Sequence, residues 1–147
     1  MHMGKIKFAL NIEDEWPPVS SESIWCERIG VNYRALNAPF FISNLAYGDV
    51  FSAVPDSVNN HIFEFEIIEQ SGHSLVWLMN TARIEISESL ESISTLGCKY
   101  EGFPAFNLVA VDVPPNVDVH VLDSVIENLE LQGIGVAYPV WRHIELH

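Results

Sequence analysis

The sequence predicts an α+β fold in two parts, with strands alone in the first half and strands mixed with helices in the second. Apolar residues alternate with period two along much of the first 70 residues, as in half-buried strands. From Ser71 onward, apolar residues also recur three and four positions apart, as in amphipathic helices. We therefore expect a small curled β-sheet or barrel over residues 5–70 and a second lobe over residues 71–147, together forming one compact unit.

Short strands separated by turns account for the first lobe. Lys5–Ile12 alternates strictly, and Pro17 and Pro18 follow it, where proline removes backbone donors. Further strands are predicted at Ser23–Ile29, Tyr33–Leu36, Phe40–Ile42, Val50–Val54 and His61–Glu69. Their close spacing is typical of a small sheet that curls on itself.

The second lobe begins with a predicted strand at Ser74–Asn80. A helix follows, with Ser87 as its N-cap and Gly97 at its end. Its apolar stripe is Ile86, Leu90, Ile93 and Leu96.

Two more strands, a second helix and a last strand complete the second lobe. The strands are Lys99–Glu101 and Phe106–Val113, the latter apolar enough for the interior of a sheet. Asp118 can cap a helix that Gly133 ends, and Gly135–His143 supplies the final strand. The order β-α-β-β-α-β predicts a ferredoxin-like unit, in which two helices cover one face of a four-stranded antiparallel sheet.

The charge balance limits the kinds of partner. The 147 residues include 20 Asp and Glu against 7 Lys and Arg, a formal net charge of −13, spread along the whole chain. Such a field repels phosphate backbones and anionic lipid and attracts basic proteins, so we expect no direct nucleic-acid or membrane partner. Acidity that serves only solubility is an equally open interpretation.

Neither a cofactor nor an exported location is predicted. Cys26 and Cys98 are isolated and are interpreted as buried small hydrophobic residues. The histidines have no metal-ligand spacing, and no glycine-rich phosphate loop occurs. With no secretory signal and no membrane-length apolar segment, we expect a cytoplasmic protein.

The candidates for catalysis are few. His73 at the start of a predicted strand could act as a general base, together with Asp49 or Glu66. A turn histidine and a turn carboxylate explain His73 and Asp49 more simply. Glu64 and Glu66 share a strand face that is more often solvated than reactive. We therefore expect a protein that is not an enzyme, with a scattered-site enzyme using His73 as an alternative.

Several short runs, in order, resemble one known family. They are Ser23–Glu27, Asn37–Phe41, Gly48–Val50, Ser71–His73, Leu96-Gly97 with Glu101, and Val109–Pro114. The resemblance extends from Lys5 to about Arg142 and is to an uncharacterised bacterial family, domain of unknown function 4265. That family supplies no established chemistry. Small acidic bacterial families of this kind include immunity proteins of secreted toxins, which suggests the same role here.

The predicted function is therefore that of an immunity or antitoxin-like module that neutralises a basic toxin, possible targets including nucleases. The candidate contact residues are Glu13, Asp14, Glu15, Trp16, Glu88, Glu91, Asp123, Glu127 and Glu130. Acids can mimic a phosphate backbone, and an aromatic residue beside them can dominate interface energy. A solvated turn and solvated helix faces explain the same acids. A small-molecule-binding regulatory module of the ferredoxin-like type is a further alternative.

Overall fold

Residues 3–143, which the computed structural model describes, form two antiparallel sheets and two α-helices. The chain divides into two units, one ending at Ser71 and the other beginning at Gly72. The mixed α+β class predicted from the sequence is confirmed. Neither helix is both long and apolar enough to cross a membrane within the described residues.

The N-terminal unit contains one five-stranded antiparallel sheet. Its strands are β1 (Met3–Ala9), β2 (Ser21–Ile29), β3 (Asn32–Ala35), β4 (Val50–Ala53) and β5 (Phe65–Glu69). They pair in sequence order, so that each strand neighbours the next along the chain and β1 and β5 lie at the two edges. This order is that of a simple meander.

The sheet does not close into a barrel within residues 3–143, so the barrel alternative is wrong. Among the described residues, a single parallel bridge, Phe8 to Ile62, links β1 to the chain ahead of β5. The predicted strand His61–Glu69 is therefore split: Ile62 pairs with β1, and the chain then crosses to pair with β4 from Phe65. Alternation of side chains cannot reveal such a change of partner, because the periodicity continues while the backbone bonds do not.

Aromatic rings fill the interior of this sheet. Phe51 stacks on Tyr33 with ring centroids 5.5 Å apart, and Phe8 meets Phe51 and Phe65 at 5.6 Å each. Ile24 and Cys26 of β2 are buried in the same cluster. Tilted and edge-to-face aromatic pairs contribute beyond their buried area, by roughly 0.5–1.5 kcal/mol each.

The 14-residue connection between β3 and β4, residues 36–49, contains neither helix nor strand. Side-chain acceptors replace regular structure. The Glu22 carboxylate accepts the N–H groups of Phe40, Phe41 and Ile42 at 2.7, 2.8 and 3.1 Å. The predicted strand Phe40–Ile42 is thus wrong, because a carboxylate takes the N–H groups that a partner strand would have bound.

Two further side chains fix this connection. Asn37 Oδ1 accepts the N–H of Trp25 at 2.6 Å, and the buried carboxylate of Asp49 accepts those of Ala46 and Ser71 at 2.9 Å. Gly48 has φ +84°, and a Cβ built on it would lie 3.0 Å from Ser71 Cβ. A side chain at that position would be both strained and crowded.

The C-terminal unit combines four strands with two helices. Its elements are β6 (Ser74–Met79), α1 (Ser87–Thr95), β7 (Lys99–Phe103), β8 (Leu108–Val113), α2 (Val119–Leu131) and β9 (Gly135–Val140), with a 3-10 turn at Pro104–Phe106. The strand order is β7-β8-β6-β9, antiparallel throughout. Both helices pack on one face, because their buried residues share a cluster with Val76, Leu78 and Val111.

The helix ends follow the predicted chemistry with one exception. Asp118 caps α2 as expected, accepting the N–H groups of His120 and Val121. Ser87 is not an N-cap: Ile86 takes that position, and the carboxylate of Glu85 accepts the Ser87 N–H at 2.9 Å. An acid two residues upstream thus supplies the acceptor that was expected from the serine.

Candidate functional site

Glu13–Trp16, which we call the acidic turn, is a tight two-residue reversal. Glu13 and Trp16 exchange backbone hydrogen bonds of 2.8 and 3.0 Å, and Asp14 and Glu15 between them have φ of 52° and 67°. Positive φ at both central residues is the type I′ pattern, which normally selects Asn and Gly. The predicted strand to Ile12 instead ends at Ala9, before the acidic turn begins.

Trp16 lies against the long connection on one side and solvent on the other. Its ring meets that of Phe41 edge-on, with centroids 5.6 Å apart, while 39% of the residue stays exposed. Phe41 itself is buried and is fixed through its N–H by Glu22. A partly exposed tryptophan on a fixed support loses little entropy on binding, which favours a contact role.

Beside the turn lies a groove of about 580 Å³, which we call the acidic groove. Its lining is mostly apolar, and the opening separates the end of β1 from β5. The lining residues are Ala9, Leu10, Asn11, Pro17, Phe41, Ile42, Ser43, Asn44, Phe63, Glu64, Phe65 and Ile67. This volume lies within the range of sites that hold small ligands or peptide side chains.

The charge at this groove has one sign. Glu64 lines it, and Asn11, another lining residue, donates to the Glu13 carboxylate at 3.3 Å. No Lys, Arg or His is among the lining residues that the structure describes. Across residues 3–143, none of Glu13, Asp14, Glu15 and Glu64 makes an ion pair. Their negative charge is therefore available to an incoming cation.

The five helix acids do not share one surface. On α2, Asp123, Glu127 and Glu130 lie on one side of the buried stripe. Burial raises the pKa of Tyr138 on β9, and the charges of Glu130 and Asp123 raise it further, which indicates that this side approaches β9. Glu88 instead lines a groove of about 470 Å³ between α1 and α2, and Glu91 is exposed outside that lining.

Comparison with known proteins gives the family. The family described as "Domain of unknown function (DUF4265)" matches residues 22–136. The chain belongs to this family. The resemblance noted from the short runs is thereby confirmed, over a range shorter at both ends than the sequence suggested.

A crystal structure of a hypothetical protein from Neisseria gonorrhoeae is similar to this DUF4265 chain. The similarity covers 95% of this chain and 97% of that one, with a TM-score of 0.73 and 17% sequence identity. At that identity the likeness concerns the fold alone. A search of curated proteins found no match.

The DUF4265 match includes one side of the acidic groove and excludes the other. Phe41 and Glu64 lie inside residues 22–136, as do Glu22 and Asp49, which fix the long connection. The acidic turn and β1 precede the matched range.

Hydrogen bonds are described for two of the residues proposed for catalysis, His73 and Asp49. His73 Nδ1 lies 2.7 Å from Asp112 Oδ1. Burial raises the pKa of Asp112, and the hydrogen bond from His73 opposes that shift. Asp49 is instead the turn carboxylate that the simpler interpretation expected, and Glu66 is an exposed residue of β5. A His–carboxylate pair orients an imidazole, yet its acid partner is Asp112, which the sequence did not single out.

The sequence also did not reveal the hydrogen bonds of a second histidine, His143. Ser74 Oγ lies 2.6 Å from His143 Nδ1 and accepts the N–H of Arg142 at 2.7 Å. The His143 Nε2 lies 2.7 Å from the carbonyl oxygen of Pro114. Because Ser74 is fully buried, this network fixes the segment after β9 rather than presenting a nucleophile. The predicted strand Gly135–His143 ends at Val140, where these side-chain bonds begin.

The two cysteines match their predicted environment. Both are free and buried, and burial raises the pKa of the Cys26 thiol to about 12 and that of Cys98 to about 11, with the charge of Asp112 adding to the second shift. Thiols with such values carry almost no thiolate at neutral pH. Residues 3–143 contain no group of three or more His, Cys, Asp or Glu arranged to hold a metal ion.

Glu22 is the main structural residue that sequence reasoning missed, although a signal for it exists. Glu22, Ile24 and Cys26 alternate along β2, so the acid lies on the same strand face as two buried residues. Burial raises the pKa of the Glu22 carboxyl, and its three backbone hydrogen bonds oppose that shift. An acid on the core side of a strand indicates a bound internal donor.

Proposed function

We propose that this protein is a binding module that captures a basic protein through the acidic groove, in the manner of an immunity or antitoxin-like protein. One observation carries the proposal. An apolar groove beside a partly exposed tryptophan has carboxylates at its border and no cation in its lining. Apolar area supplies binding energy, and a single sign of charge steers a partner of the opposite sign.

The same charge argues against an anionic partner. Asp14, Glu15 and Glu64 would repel a phosphate backbone or a carboxylate ligand, and no basic residue in the groove offsets them. A nuclease toxin, whose active cleft must hold phosphates, presents the complementary charge. Acids on a rigid turn can then occupy the positions that phosphates would take.

Two features support finer parts of the proposal. The strand order β7-β8-β6-β9 with both helices on one face agrees with a ferredoxin-like arrangement in the C-terminal unit, which we propose as its fold.

Two free, buried thiols suit a reducing compartment, so we propose that the protein acts in the cytoplasm.

The test is a titration against basic secreted proteins encoded at the same locus. We expect one of them to bind and to lose its toxic activity, with affinity that weakens as salt rises. Trp16→Ala should weaken binding by about 30-fold, because an aromatic hot spot of an interface is worth about 2 kcal/mol or more.

A matched variant and a clear failure complete this test. Trp25→Ala removes another exposed tryptophan of the same unit, one that belongs to β2 rather than to the acidic turn, and it should leave the affinity within about twofold. If no basic protein from the locus binds at modest salt, the proposal is wrong. Equal losses for the two tryptophan variants would place the interface away from the groove.

A further inference from the structure

The free edge of β5 forms one border of the acidic groove. β5 pairs with β4 on one side, and no strand pairs with its other side within residues 3–143. Phe65 and Ile67 of this strand line the groove. Alternate residues of an edge strand direct their N–H and C=O groups outward, where another extended chain can bind them.

The groove lies beside the single bridge that joins β1 to the chain ahead of β5 within residues 3–143. This bridge, at Ile62, has hydrogen bonds of 2.8 Å from the Ala9 N–H to the Ile62 carbonyl and 2.9 Å from the Ile62 N–H to the Lys7 carbonyl. Beyond that point, Leu10 and Asn11 line one side of the opening, and Phe63 and Phe65 line the other. One border of the opening is thus the edge of β5 that pairs with no other described strand.

We propose, on the basis of the function above, that the partner binds by strand addition: an extended basic segment pairs with β5 and fills the opening toward β1. β5 has five residues and, at about 3.3 Å per residue, offers roughly 17 Å of edge. Side chains of an added strand alternate between two faces. One set would pack on Phe41 and Phe65, and the other would meet the carboxylates of Glu64 and Glu66.

The charge of β5 selects this occupant over a second copy of the chain. Glu66 and Glu69 both lie on the strand, so pairing two β5 edges would bring like charges together. Acids on an edge strand suppress self-association for that reason. The same acids favour Lys or Arg on an added strand, with each opposite-charge pair worth about 0.2–1 kcal/mol. The ligand is therefore an extended segment in which apolar and basic residues alternate.

The test uses a synthetic nine-residue peptide of alternating Val and Lys and measures its dissociation constant with the full chain. Two N-methylated versions carry methyl groups on alternate amides, one on the even and one on the odd positions. A paired strand directs only one set of amides toward β5, so one version should bind at least tenfold more weakly and the other within about twofold. Hydrogen exchange of the chain over residues 62–70 should slow when the unmodified peptide binds.

A charge-matched control and separable outcomes complete the experiment. Glu66→Lys replaces an attraction with a repulsion and should weaken peptide binding at least threefold, whereas Glu101→Lys, at an exposed position of β7 in the other unit, should change it less than twofold. Equal effects of the two methylated peptides would overturn strand addition while leaving capture of a basic ligand intact. Binding of a basic protein from the locus without binding of the peptide would do the same. Failure of both ligands would overturn both proposals.

Discussion

The two sheets of this chain bury their apolar side chains in different ways. In the C-terminal unit, two helices cover one face with aliphatic residues such as Leu122 and Ile126, which leave no exposed area of consequence. In the N-terminal unit, no helix occurs among the described residues, and aromatic rings with a carboxylate-bound connection enclose the core. The acidic groove of this unit is lined by that connection and by the edge strand β5, and there the candidate site lies.

Among variants that test this contrast between the two sheets, Leu122→Ala should cause the largest decrease in the free energy of unfolding. Leu122 is fully buried between α2 and the sheet, so truncation removes packing and leaves a cavity. The free energy of unfolding should fall by about 2–5 kcal/mol, measured by urea denaturation. Binding at the acidic groove should persist wherever the variant is folded.

The control for this variant is the preceding residue. Val121 is 45% exposed on the same helix, and Val121→Ala should change the free energy of unfolding by no more than about 0.5 kcal/mol. Similar losses for the two variants would mean that the helix packs on the sheet differently from the arrangement described.

A smaller decrease in the free energy of unfolding is expected from Glu22→Gln. The two carboxylate oxygens accept three N–H groups, whereas an amide offers one acceptor oxygen and would turn its NH₂ toward a remaining N–H donor. Leaving one buried donor without an acceptor should cost about 1–3 kcal/mol in the free energy of unfolding. Chemical denaturation and hydrogen exchange of residues 36–49 would measure it.

Glu27→Gln provides the comparison on the same strand. Glu27 makes an ion pair at 3.3 Å with Arg34, whose side chain is 40% exposed, and pairs with a solvent-exposed member are typically worth less than about 1 kcal/mol. If Glu22→Gln costs no more than Glu27→Gln, the carboxylate does not stabilise the connection, and the contrast between the two sheets loses its physical basis.

The sequence predicted most where one local rule determines the outcome. Asp118 as a cap and Gly97 and Gly133 beyond the helices depend only on neighbouring residues, and each was placed correctly. Phe40–Ile42 was predicted as a strand because its composition suits one, but its N–H groups bind a side chain 18 to 20 residues away. Long-range pairing of this kind leaves no periodic signal in the segment that receives it.

The sequence identifies the acidic turn but not the groove beside it. The cluster of acids beside Trp16 is visible in the sequence, and these four residues do form one turn next to a groove. Phe63 and Glu64 join that site because β1 pairs with Ile62, a contact across more than 50 residues, and Phe41 joins it through its hydrogen bond to Glu22. The helix acids, by contrast, match in composition yet occupy different sides of their helices.

Glu15→Gly should give the smallest change in the free energy of unfolding. This variant tests whether the acidic turn favours binding over stability. Glu15 has φ +67°, a conformation that costs an L-residue about 1 kcal/mol and glycine almost nothing. Glycine also raises the entropy of the unfolded chain, which offsets part of this relief. The free energy of unfolding should therefore rise by about 0.5 kcal/mol, while affinity for the basic partner falls. Glu15→Ala removes the same carboxylate but keeps the strain, so it should weaken binding equally without any gain in stability. Thermal unfolding and titration of both variants separate the two effects, and a turn selected for stability would instead lose stability in both.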